Sequence, residues 1–101
     1  MDMKWPLMIR RVSGHSMVPV LPPGTMVYAR RWFVHLRPGA VVVFRHNGME
    51  KIKRIHHIAG DDVYVIGDHP DASTDSRHFG PISRSTVVAT VMYPRVRIMN
   101  L

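Results

Sequence analysis

Apolar residues in this chain come in short blocks, separated by proline, glycine and asparagine turns before any helical period can build. Pro22-Pro23-Gly24 predicts a turn followed by a strand over 25–29, and Arg37-Pro38-Gly39 a turn followed by a strand over 40–46. Asn47-Gly48 is a two-residue hairpin signal, because both residue types tolerate positive φ; its return strand runs from 49 to about 58. Ala59-Gly60-Asp61 turns the chain into a strand over 63–66. A polar loop covers 67–81, and a last strand covers 86–92. No stretch of about a dozen residues carries apolar positions at helical spacing. The pattern predicts an all-β fold of short, mostly antiparallel strands.

The hairpin also predicts a register. With Asn47-Gly48 as a type I′ turn, His46 lies opposite Met49, Phe44 opposite Lys51, and Val42 opposite Lys53. Opposed residues share a face, so Lys51 and Lys53 join Val42, Phe44 and Ile55 on one side. Burial among such neighbours disfavours an ammonium and lowers a lysine pKa. A lysine left neutral near pH 7 is a competent general base. The plainer alternative is that both ammonium groups reach past the apolar side chains to solvent.

Composition narrows the reading. The 101 residues, 46 % of them hydrophobic, suit a single domain spanning 1–101 with a modest core. No cysteine is present, so neither a disulfide framework nor a thiolate zinc site is available. Fourteen Lys and Arg against seven Asp and Glu give +7, a balance that favours nucleic acid, anionic lipid or an acidic peptide. The cations are scattered, however, in the pairs Arg10-Arg11 and Arg30-Arg31, the group Lys51, Lys53 and Arg54, and Arg95 with Arg97. They read as solvated surface, and no nucleic acid is expected as partner. The longest uninterrupted apolar run, 40–44, is far short of the roughly 20 residues of a membrane span. Residues 1–9 are too short for a signal peptide, so a soluble protein without an integral membrane segment is expected. Seven histidines raise a metal question. His56 and His57 are adjacent and would point to opposite faces of a strand. His15, His35, His46, His69 and His78 show no ligand spacing. Neither metal nor cofactor is expected.

Three segments carry candidate chemistry. Ser13-Gly14-His15-Ser16-Met17-Val18-Pro19-Val20-Leu21 holds a serine in irregular backbone, where its hydroxyl and nearby N–H groups would be accessible for attack and oxyanion binding. Glu50-Lys51-Ile52-Lys53-Arg54-Ile55 holds the paired lysines. The third runs Gly67-Asp68-His69-Pro70-Asp71-Ala72-Ser73-Thr74-Asp75-Ser76-Arg77-His78-Phe79-Gly80-Pro81, with Asp75 and Arg77 spaced for a charge-assisted pair. Taken singly, each is an ordinary loop or strand.

Together and in this order, the three segments resemble the type I signal peptidase family of Ser–Lys proteases. They match its Ser-Met-x-Pro, Lys-Arg and Gly-Asp-x…Ser-x-Asp-Ser-Arg-x-Phe/Trp-Gly boxes, over residues 12–92. Residues 40–44 after Pro38-Gly39 also look like that family's Gly-Asp-Val-Val-Val-Phe strand. The resemblance implies a small signal-peptidase-type β-barrel or sandwich. It makes Ser16 the nucleophile and Lys53, just before Arg54, the base, with Lys51 second in line. It gives Ser73 the task of orienting the lysine and Asp75 with Arg77 that of bracing the loop. Met17, Gly67 and Asp68 are the remaining supporting positions. The Ser16 N–H would be one oxyanion donor; Gly14 stands where some members place a serine hydroxyl as the second. Two features depart from typical members: the N-terminal membrane anchor and the large inserted domain are both missing.

Short, anchorless members with a Gly-Asp-x-Pro-x-x-Ser-Thr-Asp-Ser-Arg-x-Phe-Gly loop resemble the proteases that mature nickel-type superoxide dismutase. Here the matching positions are Gly67, Asp68, Pro70, Ser73, Thr74, Asp75, Ser76, Arg77, Phe79 and Gly80. That likeness implies a cytoplasmic bacterial enzyme that removes an N-terminal extension from a precursor polypeptide bound as an extended strand. Three alternatives stand beside it. One is a general type I signal peptidase whose anchor is supplied elsewhere, which leaves peripheral membrane contact open. Another is a self-cleaving repressor with the same dyad, disfavoured because no DNA-binding segment precedes Ser16. The third, from a different class, is a non-catalytic basic β-domain that binds nucleic acid.

Overall fold

The computed structural model describes residues 5–32 and 35–96; the first four residues and Arg97 of the sequence reading lie outside them. Seven strands form one sheet: β1 (Leu7–Arg11), β2 (Met26–Arg30), β3 (Val41–His46), β4 (Met49–Ala59), β5 (Asp62–Ile66), β6 (Ile82–Ser83) and β7 (Val87–Tyr93). Their order across the sheet is β1-β2-β7-β3-β4-β5-β6, and every pairing is antiparallel. A 3-10 turn at Pro70–Ala72 and one α-helical turn, α1 (Ser76–Phe79), interrupt the polar loop. The fold is all-β, as the turn pattern predicts. No helix among the described residues is long and apolar enough to cross a membrane.

The β3–β4 hairpin carries the register the turn implies. Asn47 and Gly48 both adopt positive φ, +50° and +75°, and Val42 pairs with Lys53, Phe44 with Lys51 and His46 with Met49. Around it the strand limits shift by one residue at most ends. Strands β1 and β6 were not foreseen. Apolar Leu7 and Ile9 of β1 face outward and half-exposed, so burial gives β1 no clean alternation to read. β6 has only two residues.

Strand β3 explains where the core lies. Val41 to Phe44 are all buried, because both faces of the strand are covered. Val42 and Phe44 pack with Ile55, Val63, Val65 and Ile82. Val41 joins Val12, Met17, Leu21 and Val27, while Val43 joins Met8, Ala29 and Ala89. Each such side chain contributes on the order of 1.5–3 kcal/mol of transfer free energy. A central strand covered on both sides reads as a continuous apolar run, the pattern of residues 40–44. The first of these clusters carries β4 and the second carries the Ser16 segment. Packing about β3 therefore holds the two chemical segments in fixed relation.

Candidate active site

Ser16 lies in the irregular segment between β1 and β2, and it is pinned from two directions. The next side chain, Met17, is buried among Val12, Leu21, Val27 and Val41. The Ser16 carbonyl accepts a 2.8 Å hydrogen bond from the His69 N–H, and Leu21 N–H donates back to the Met17 carbonyl at 2.8 Å. The Ser16 N–H donates to no acceptor among the described residues. It is thus available to an incoming oxyanion.

Lys53 approaches from β4. Its side chain is only 6 % exposed, and its Nζ lies 2.7 Å from the Ser16 Oγ. Burial pushes the ammonium below the ordinary lysine range, the neighbouring Lys51 charge pushes the same way, Asp75 opposes, and Arg77 adds a further lowering. The sign follows directly. A lowered pKa enlarges the neutral fraction near neutrality, and only the neutral amine accepts a proton.

The third segment forms the wall behind this pair. Gly67 comes so close to Ser16 that an added Cβ would strike the Ser73 side chain and stand 2.7 Å from the Ser16 carbonyl oxygen. Asp75, fully buried, collects the Gly67 N–H at 2.8 Å, the Ser73 hydroxyl at 2.6 Å and the Arg77 N–H at 3.1 Å. Arg77 closes a two-pronged ion pair on the same carboxylate. Burial alone would raise the Asp75 pKa; the Arg77 guanidinium, the Ser73 hydroxyl and the two N–H groups overcome it and hold the carboxyl far below its ordinary value. Asp75 also caps α1, where the His78 side chain accepts from the Asp75 N–H. Asp68 receives both prongs of Arg54, at 2.8 and 2.7 Å, and Arg54 also donates to the Gly39 carbonyl. Arg54 is completely buried. A buried guanidinium is tolerated only with such a full set of partners.

Beside the Ser16–Lys53 pair runs a groove of about 230 Å³. Residues 10–13 form one wall and 49–53 the other, with Met17 between them. Arg10 and Glu50 form an ion pair across it.

A hydroxyl beside a buried amine, on an antiparallel sheet with a loop buttress, accords with a match to a known family. The family model described as Peptidase S24-like matches residues 4–92. The chain belongs to that family. No match is found among curated proteins. The S24-like assignment gives a serine-peptidase-type fold. S24-like peptidases are related to type I signal peptidases without being the same family, so the match supports the serine-peptidase part of the resemblance.

Several residues of this S24-like chain stand differently from the sequence reading. Ser73 directs its hydroxyl to Asp75, not to the Lys53 amine, because Asp75 is the stronger acceptor and lies two residues away. His56 and His57 do not diverge. A bulge in β4 between Ile55 and His57 brings their Nδ1 atoms to 2.8 Å, and His57 stacks on Tyr64. Among the described residues no group of three or more His, Cys, Asp or Glu is placed to hold a metal ion. The buried Arg54–Asp68 tie and the Arg10–Glu50 bridge were missed, as neither spans a recognisable local spacing. A signal for the first did exist. Adjacent Lys53 and Arg54 in one strand point to opposite sides, so if one is buried in a central strand the other needs a carboxylate of its own.

Proposed function

We propose that the chain is a serine endopeptidase in which Ser16 is the nucleophile and Lys53 the general base. The 2.7 Å approach of the Lys53 Nζ to the Ser16 Oγ, with the amine buried and its pKa lowered, carries this reading. The neutral Lys53 amine removes the Ser16 proton as Oγ bonds to the scissile carbonyl carbon. The Ser16 N–H stabilises the oxyanion. Lys53 then returns its proton to the departing amine as the peptide C–N bond breaks, leaving an ester on Ser16. Water, giving its proton to Lys53, hydrolyses that ester and restores the serine. The substrate lies extended in the groove and adds a strand beside residues 49–53. Ser73, Asp75 and Arg77 keep the wall rigid; Gly67 and Asp68 anchor its start.

The proposed substrate is a precursor polypeptide with an N-terminal extension, by resemblance a nickel-type superoxide dismutase, processed in the bacterial cytoplasm. The non-catalytic nucleic-acid reading offers no reason for a hydroxyl and a buried amine to meet. Incubation with such a precursor, followed by mass analysis of the products, tests the proposal. The wild-type chain is expected to release the extension at one bond, and Ser16→Ala and Lys53→Ala to lose activity by about 10³-fold or more while keeping the fold. Undiminished cleavage by Lys53→Ala would refute the base, and loss confined to Lys51→Ala would move it two residues upstream.

A further inference from the structure

Lys51 has no place in the mechanism above, yet it lines the groove in which the Lys53 amine lies. It is two residues from Lys53 on β4, on the same side of the strand, and it lines the same groove. Two residues of extended strand put the backbone origins of the two side chains about 7 Å apart. Lys51 makes no ion pair or hydrogen bond among the described residues. We propose that Lys51 is an electrostatic positioning residue whose ammonium holds the Lys53 amine in its uncharged, proton-accepting form.

The groups that face Lys53 from each packed element leave Lys51 with this part. From the loop come Asp75 and Arg77, whose charges are joined in one ion pair and oppose each other at Lys53. From the N-terminal side come the neutral Ser16 hydroxyl and, along the groove, Arg10 and Arg11. Arg10 is neutralised by Glu50, which removes the groove's carboxylate from competition for Lys51. From β3 come Val42 and Phe44, with His46 further along the same face and stacked on Phe79. Arg54 is turned away and closed on Asp68. Among the charges, Lys51 lowers the Lys53 pKa most, after burial itself. A second cation beside a catalytic lysine is a recognised way to activate it. The inference rests on Lys53 being the base, and its test separates the two.

The measurement is an NMR titration of the full chain carrying isotope-labelled lysine, with the Lys53 signal assigned by its loss in Lys53→Met. In Lys51→Met the Lys53 midpoint is expected to rise by about half a unit to one unit. It should rise further in Lys51→Glu and stay in place in Lys51→Arg. Screening by about 1 M sodium chloride should shrink the Lys51→Met difference, which a packing change would not do. Amide spectra check the fold, and Lys51→Gln replaces Lys51→Met if that variant does not fold. A lowered midpoint in the wild type that is the same in folded Lys51→Met and Lys51→Glu, or a difference indifferent to salt, overturns the role of Lys51 alone. An ordinary midpoint near ~10.4 in the wild type overturns the neutral-base reading and this inference with it.

Discussion

A serine hydroxyl is a poor nucleophile, and an ammonium beside it cannot help. The Ser16–Lys53 contact has chemical meaning because the amine sits at 6 % exposure with a second cation nearby, so that losing a proton relieves both burial and repulsion. Gly67 shows how finely that contact is held. Its missing side chain is the space in which the Ser16 carbonyl and Ser73 come together. Gly67→Ala is therefore expected to cost about 1–3 kcal/mol of stability. By displacing Ser16 it should also lower kcat by about tenfold or more, out of proportion to the stability loss. Urea unfolding and the processing assay, run on the same preparation, check both. At this scale the sequence was informative about identity and less so about partnership. Ser16 and Lys53 stood out by residue type and motif. The acceptor of the Ser73 hydroxyl depended on which way a buried carboxylate turned, and no spacing encodes that.

Strand β4 is the decisive element, since it carries Lys51, Lys53 and Arg54 and pairs with β3 over 49–54 and with β5 over 54–59. Its register was legible because Asn47-Gly48 allows essentially one tight turn, and a slip of one residue would have put Lys53 on the other face. Its far end was not legible. The bulge at His56 inserts one unpaired residue, and alternation assumed across it sends the two histidines apart when they in fact touch. The loop after β5 depends in the same way on Asp75, a single buried charge with four groups converging on it. Asp75→Asn is expected to cost about 2–3 kcal/mol at neutral pH, because an amide must turn a donor toward one of those donors. The pH dependence has a definite sign. A carboxyl whose folded pKa is depressed contributes stability that is present above its unfolded value, near ~3.9, and lost as pH falls toward the folded one. Thermal unfolding from neutrality down through that range should show a steeper acid loss for the wild type than for Asp75→Asn. Parallel curves would mean that Asp75 carries no such linkage.

Across the whole molecule, one antiparallel sheet brings together three segments that are far apart in sequence. The all-β class followed from the spacing of turn residues. The topology did not, because β2 with β7 and β7 with β3 pair residues 43 or more positions apart, and such pairings are chosen by core packing that no local pattern displays. That arrangement matters for chemistry: the cluster about Val41 seats Met17, and the cluster about Val42 seats β4, so Ser16 and Lys53 meet in the groove beside 49–53. Whether this meeting makes a nucleophile is best asked without a natural substrate. A serine-directed phosphonofluoridate, followed by mass mapping of the labelled peptide across a pH series, asks it directly. One phosphonyl group is expected on Ser16, added faster as pH rises through the lowered Lys53 pKa, and essentially none in Lys53→Ala. Labelling of Ser16 that is equally fast in Lys53→Ala, or labelling of some other residue instead, would contradict this expectation.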